Sequence, residues 1–235
     1  MTITAARSGR AIPSRWLDPT SPPHPWMLAP WELPRASVEL GTSLMLSPAL
    51  LALHGVGRLD PTGTRAGVHP VLVLPGLRGG NSWTLPLRSY LRALGHDVRT
   101  PDPRTMKAGR ATVVRSLTHQ LDQLADRAGQ PVSIVAWSIG GCFARQAAAA
   151  RPRTVRRLIT LGTPVSGVLW YGAEPPVDPG VPVTSLYSRT DGIVDWRRCV
   201  LAAGPSTENI EIISSHFGMS TNPQALHVLG DRLSR

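Results

Sequence analysis

The chain has little of several things, and each shortage removes a class of explanation. It holds two cysteines, Cys142 and Cys199, with neither C-x-x-C nor zinc-ligand spacing. A zinc site or redox motif is therefore not indicated, and a pair of reduced thiols is the simplest reading. Long apolar runs are missing too. The longest, Leu44 to Leu53, is broken by Ser47 and Pro48 and falls short of the roughly 20 residues that cross a bilayer. Arg7, Arg10 and Arg15 near the start are followed by a Pro-rich run, not an apolar segment. This predicts no signal peptide and a cytoplasmic location. No internal repeat is visible. Lysine is almost missing: Lys107 is the single one among 25 basic residues. The net charge of +10 thus rests on arginines, which are scattered, the densest group being Arg151, Arg153, Arg156 and Arg157. Without a nucleic-acid-binding motif, this excludes nucleic acid as a main partner. A weak, salt-sensitive attraction to an anionic membrane surface stays open.

What is present has a clear order. At 235 residues the chain is long enough for one domain with a substantial core. Residues 1–67 read as an N-terminal arm and helical segment packed on the main domain. The arm is rich in Pro and Trp (Trp16, Trp26, Trp31), and a helical pattern follows through Val38, Leu44, Met45 and Leu50, disturbed at Gly41 and Pro48. A core-packing helix pair is expected there, with a membrane-surface or partner helix as the alternative. Residues 68–235 alternate strands with helices. Strands are predicted at 71–74, 96–99, 132–137, 158–161, 183–187 and 210–213, and helices at 82–94 (capped by Ser82), 113–128, 140–150 and 224–233. Strands apolar on both faces imply an α/β fold, with a mostly parallel sheet of about six strands covered by helices on both sides.

The most informative segment is Ala136-Trp137-Ser138-Ile139-Gly140-Gly141, directly after the apolar run Val132 to Val135. Its form, small-x-Ser-x-Gly between a strand and a helix, is that of a nucleophile elbow. Small residues two places either side of the serine permit the sharp turn that exposes its hydroxyl. A serine needs a base, and the base needs an orienting acid, in the chain order Ser, Asp or Glu, His at strand carboxyl ends. Downstream of Ser138 only His216 and His227 remain. His216 lies just beyond the last predicted strand, whereas His227 sits inside the terminal helix at a position that reads as surface. His216 is therefore the candidate base. Asp191, in the first loop positions after the strand at 183–187, is the candidate acid, with Asp195 as rival. An oxyanion hole would take one donor from the Ile139 N–H. The second comes from the glycine-rich loop Leu74 to Gly80, where Leu77 is preferred and Arg78 is the alternative.

With these residues in place, the sequence resembles the α/β-hydrolase superfamily, in particular its compact lipases and esterases with little or no cap domain. The likeness rests on Val71 to Gly76, Ala136 to Gly141, Gly162-Thr163-Pro164, Asp191 to Val194 and His216 to Met219. It covers residues 68–235; nothing in 1–67 contributes to it. Two departures stand out: Ala136 replaces the commoner glycine, and Pro75-Gly76 stands where many lipases carry His-Gly. The resemblance implies hydrolysis of carboxylic esters through an acyl-serine intermediate, with no metal or organic cofactor. Acyl transfer or thioester hydrolysis on the same triad, or a ligand-binding homologue without turnover, are the alternatives. The substrate is expected to be a small or lipid-like ester. Leu77, Trp83, Trp170 and Tyr171 are candidate lining residues, with Trp170 and Tyr171 the preferred substrate-binding pair.

Overall fold

The computed structural model describes residues 30–55, 68–76, 80–165, 168–169, 172–173 and 179–235. Its centre is a parallel, six-stranded sheet of β1 (Pro70–Leu74), β2 (Asp97–Arg99), β3 (Val132–Trp137), β4 (Val155–Leu161), β7 (Val183–Tyr187) and β8 (Thr207–Glu211). The strand order is β2-β1-β3-β4-β7-β8, and each neighbouring pair runs parallel. Two short strands, β5 (Val168–Leu169) and β6 (Gly172–Ala173), pair antiparallel with each other outside this sheet. The five α-helices among the described residues are α1 (Glu32–Gly55), α2 (Leu85–Ala93), α3 (Arg110–Ala128), α4 (Ile139–Ala150) and α5 (Pro223–Arg232).

Alternation along each strand divides the core in two. Val71, Val73, Val135, Trp137, Ile159 and Leu161 point to one face and pack with Leu87 and Leu91 of α2 and Leu226 and Leu229 of α5. Leu72, Leu74, Ile134, Ala136 and Leu158 point to the other and pack with Val113, Leu117 and Leu121 of α3 and Ala144 and Ala147 of α4. Strands whose two faces are both covered read as near-continuous apolar runs, as β1 and β3 do; the exception is Ser133 of β3, buried and hydrogen-bonded to His69 at 2.7 Å. The expected α/β architecture, with helices on both faces, is borne out.

Several boundaries differ from the sequence expectation. The last strand is Thr207–Glu211, not 210–213, and Ile213 is largely exposed. This strand lies at the sheet edge, where pairing with β7 sets its span (Val183 opposite Thr207, Tyr187 opposite Glu211) and polar residues are tolerated. Strand β4 starts earlier than expected, at Val155, because its two arginines, Arg156 and Arg157, mask the strand pattern. Ser82 does not cap α2. It lies in a 3-10 turn, Asn81–Thr84, and the α-helix begins at Leu85 with Pro86 in its first turn.

The largest difference concerns α1. It is one continuous helix through Pro48, not a pair. Val38, Leu44 and Met45, expected to face the core, are 70%, 65% and 83% exposed. The face turned to the body carries Glu32, Glu39, Ser43 and His54 instead, with Leu50 and Leu51 packed against the core nearer the C-terminal end. Its polarity is thus inverted relative to an ordinary surface helix. Near its C-terminus, His54 Nε2 lies 3.0 Å from His227 Nδ1 of α5, so His227 packs on α1 and is not the surface residue its sequence position suggested. By length and composition α1 is also apolar enough to cross a membrane, which the interrupted run at 44–53 did not indicate. A mostly buried core helix and an N-terminal signal segment can share this length and composition.

Candidate active site

The chain leaves β1 towards β2 on one side and returns through α3 to β3, after which the order continues the other way. The connections after β1 and β3 therefore diverge to opposite faces, opening a crevice at their carboxyl ends. Ser138 stands at that crevice, immediately after β3.

Ser138 has φ 54° and ψ −131°, the one positive φ outside glycine among the described residues. Its N–H donates to the Leu161 carbonyl (2.8 Å), and its own carbonyl accepts from the Gly141 N–H and the Thr163 hydroxyl, both at 2.9 Å. These bonds hold the turn in its uncommon conformation. The small residues of the motif have visible reasons. Ala136 is fully buried in the sheet. A Cβ on Gly140 would collide with the Pro75 carbonyl oxygen, and one on Gly141 with the Thr163 side chain.

His216 bridges the serine and the aspartate. Its Nε2 lies 3.0 Å from Ser138 Oγ and its Nδ1 2.7 Å from Asp191 Oδ2. With the proton on Nδ1, the ring donates to Asp191 and accepts from the serine hydroxyl. Both members of the His216–Asp191 pair are buried, with side chains 4% and 1% exposed. The second oxygen of Asp191 accepts the N–H groups of Ile193 and Val194, both at 2.8 Å, which fixes the carboxylate in its own loop. Asp195, the rival acid, is occupied elsewhere: it caps the 3-10 turn Trp196–Cys199 by accepting the Arg197 N–H at 3.0 Å. Burial alone would lower the pKa of His216 and is the largest single influence. The charge of Asp191, its hydrogen bond and the charge of Glu32 together outweigh it, so the His216 pKa is raised above 6.5.

Ile139 is the first residue of α4, so its N–H is one of the first-turn donors with no acceptor inside the helix. The loop after β1 passes close by: a Cβ on Gly76 would lie 3.2 Å from that of Ser138. Leu77 and its alternative Arg78, like Trp170 and Tyr171, lie outside the described residues. Trp83 is described and half-exposed, its ring 5.3 Å from Phe217 and 6.3 Å from Trp137. Neither cysteine is in a disulfide and both are buried; burial pushes the Cys199 thiol well above its ordinary pKa. Among the described residues, no cluster of three or more His, Cys, Asp or Glu side chains is arranged to hold a metal.

Four residues at this site were not found from sequence. The Trp137 indole N–H donates to the His216 carbonyl at 3.1 Å. Glu32, Arg35 and Glu39 of α1 reach the loops that carry Asp191 and His216. The available signal was their spacing. Apart from His54 they are the ionisable residues of a 24-residue helix, placed at i, i+3 and i+7 on one face.

No protein-family model matches the chain, and no curated protein matches it by sequence. Solved structures do. Aspergillus fumigatus lipase B superposes with a TM-score of 0.59 at 18% identity over 72% of this chain. The chain spans about half of that lipase, 53% of its length. Bacillus licheniformis lipase BlEst2 in its mature form gives a TM-score of 0.58 at 15% identity, covering 77% of this chain and 96% of the other. The mouse alpha/beta hydrolase domain-containing protein 10 gives 0.54 at 19% identity, covering 70% and 87%. The parallel sheet with helices on both faces is the α/β-hydrolase fold, and the resemblance read from the sequence holds at the level of the fold.

Proposed function

We propose that the chain is a serine hydrolase that cleaves carboxylic esters through Ser138, His216 and Asp191. The observation that carries this reading is the hydrogen-bonded row Asp191–His216–Ser138, at 2.7 and 3.0 Å, beside the crevice at the ends of β1 and β3. Ser138 Oγ attacks the ester carbonyl carbon while His216 Nε2 takes its proton. The oxyanion meets the Ile139 N–H and a second donor from the loop after β1, with Leu77 the preferred residue. The alcohol leaves with the proton returned by His216. Water, deprotonated by the same nitrogen, then splits the acyl-Ser138 bond to release the acid, and His216 passes that proton to the departing Ser138 Oγ. Asp191 keeps the proton on Nδ1 and stabilises the imidazolium without itself being protonated. Trp170 and Tyr171 are the residues proposed to contact the substrate, and a small or lipid-like ester is the proposed class. The lipases of the same fold support the reaction type by analogy.

A fluorophosphonate probe tests this directly. The folded wild-type protein should label, and Ser138→Ala should not. Failure of the wild type to label, beside an esterase control that reacts, removes the proposal. A chain-length series of p-nitrophenyl esters then defines the acyl preference.

A further inference from the structure

Helix α1 reverses the usual arrangement of a surface helix. Glu32, only 1% exposed, is a buried carboxylate, which is costly unless its oxygens are well supplied with donors. Those donors come from the two loops that carry Asp191 and His216. Glu32 Oε1 accepts the Gly192 N–H at 2.6 Å, and Oε2 accepts the N–H groups of His216 at 2.6 Å and Phe217 at 3.3 Å. One carboxylate therefore ties the residue after Asp191 to His216 itself.

Glu39, two helical turns on, extends the contact. Its Oε1 accepts the Ser215 N–H at 2.7 Å, and its Oε2 accepts the Ser214 hydroxyl at 2.5 Å and Asn222 Nδ2 at 3.4 Å. Three successive backbone amides, 215, 216 and 217, thus end on carboxylates of α1. Glu39 comes so close that a Cβ on Gly218 would collide with its carboxylate. Arg35, between the two, donates to the Thr190 carbonyl at 3.0 Å and to its hydroxyl at 2.9 Å, next to Asp191. Every Glu and Arg of α1 is spent on the catalytic loops, while Val38, Leu44 and Met45 face outward.

We propose that α1 is part of the catalytic apparatus, and that Glu32 is a positioning residue that clamps the Asp191 and His216 loops so that both side chains line up with Ser138. This rests on the ester-hydrolase reading for its kinetic readout, not for its geometry. Gly192 precedes the amides that fix Asp191 Oδ1, and the His216 N–H belongs to the residue whose ring must reach Ser138. Releasing either loop by a fraction of an ångström misaligns the row. Glu32 also places a negative charge near the imidazole. The ionisable groups around His216 are Asp191 from the loop after β7 and Glu32, Arg35 and Glu39 from α1. Of these, Asp191 and Glu32 raise its pKa.

The test uses the full chain carrying Glu32→Gln or Glu32→Asp. Glutamine turns one of the two acceptor oxygens into a donor facing a backbone N–H, and it removes the charge. E32Q should lower kcat and the fluorophosphonate labelling rate about 100-fold, the usual cost of misplacement on the ångström scale, with KM within about threefold. Its acid limb in kcat/KM should move to lower pH, because the His216 pKa falls. E32D keeps the charge on a shorter arm, so it should lose rate and keep the wild-type limb. A third readout needs no turnover: the low-field proton NMR signal of His216 Nδ1–H should shift upfield or broaden in E32Q. Wild-type rate and limb in folded E32Q overturn the proposal, as does a rate loss that leaves both the limb and the Nδ1–H signal unchanged. If E32Q does not fold, wild-type rate in E32D overturns it. If the wild type shows no hydrolase activity, the ester reading fails while the Nδ1–H signal still decides the clamp.

Discussion

The backbone of Ser138 makes a prediction that is independent of catalysis. At an ordinary position, replacing glycine by alanine stabilises a protein by about 0.4–1 kcal/mol, because alanine has less freedom to lose on folding. At φ 54° and ψ −131° a Cβ is strained, and such conformations cost about 1–3 kcal/mol. Ser138→Ala keeps the strain; Ser138→Gly relieves it. Subtracting the unfolded-state penalty leaves glycine ahead by about 1 kcal/mol. Ser138 is also the N-cap residue of α4, a position where glycine outranks alanine, so both effects share a sign. For a chain of this size 1 kcal/mol corresponds to about 2–4 °C in Tm. Both variants lose the serine oxygen and its bond to His216, so that loss cancels in the comparison. Scanning calorimetry and urea titration of the two purified variants measure the difference. S138A as stable as S138G, or more so, would refute the strained elbow. Neither variant should accept the fluorophosphonate probe.

Three further outcomes are expected. Asp191→Asn should reduce kcat by about 10⁴-fold by favouring the wrong imidazole tautomer, whereas Asp195→Asn should stay within about threefold, since the Asp195 carboxylate caps a turn and pairs with Arg197, away from His216; equal losses in an ester-hydrolysis assay would reassign the acid. His216 must be neutral to accept the serine proton, and its pKa is raised, so kcat/KM should fall on the acid side with a limb above pH 6.5; a limb well below that value contradicts the buried pair. By linkage, the same shift contributes stability that is complete below pH 6.5 and lost as pH rises through the raised folded value. Gly141→Ala places a methyl against Thr163 and should cost about 1–3 kcal/mol by overpacking, read as a lowered urea midpoint; wild-type stability would show that the elbow tolerates a Cβ there.

The legible parts of this molecule share a cause. Strands β1 and β3 are covered on both faces, so every position but Ser133 is apolar and the run stands out. The elbow is equally plain, because steric demand restricts Ala136, Gly140 and Gly141 to small residues within a few positions. Asp191 and His216 were found through their places after strands, and β7 has the bounds its composition predicted. Edge strand β8 was misplaced because solvent on one side admits Thr, Glu and Asn, and pairing with β7 rather than hydropathy sets its ends.

Local steric and solvation rules thus sufficed for the sheet, the elbow and the identity of the three aligned side chains, since each is dictated by neighbours close in sequence or by chain order. The role of α1 belongs to the other category. Its composition reads as an apolar helix seeking a core, yet it turns Glu32, Arg35 and Glu39 inward. The amides that donate to those carboxylates, at Gly192 and at Ser215 to Phe217, are about 160 to 185 positions away. A buried carboxylate is tolerable only where backbone donors converge on it, and that convergence exists once the sheet has brought the two loops together.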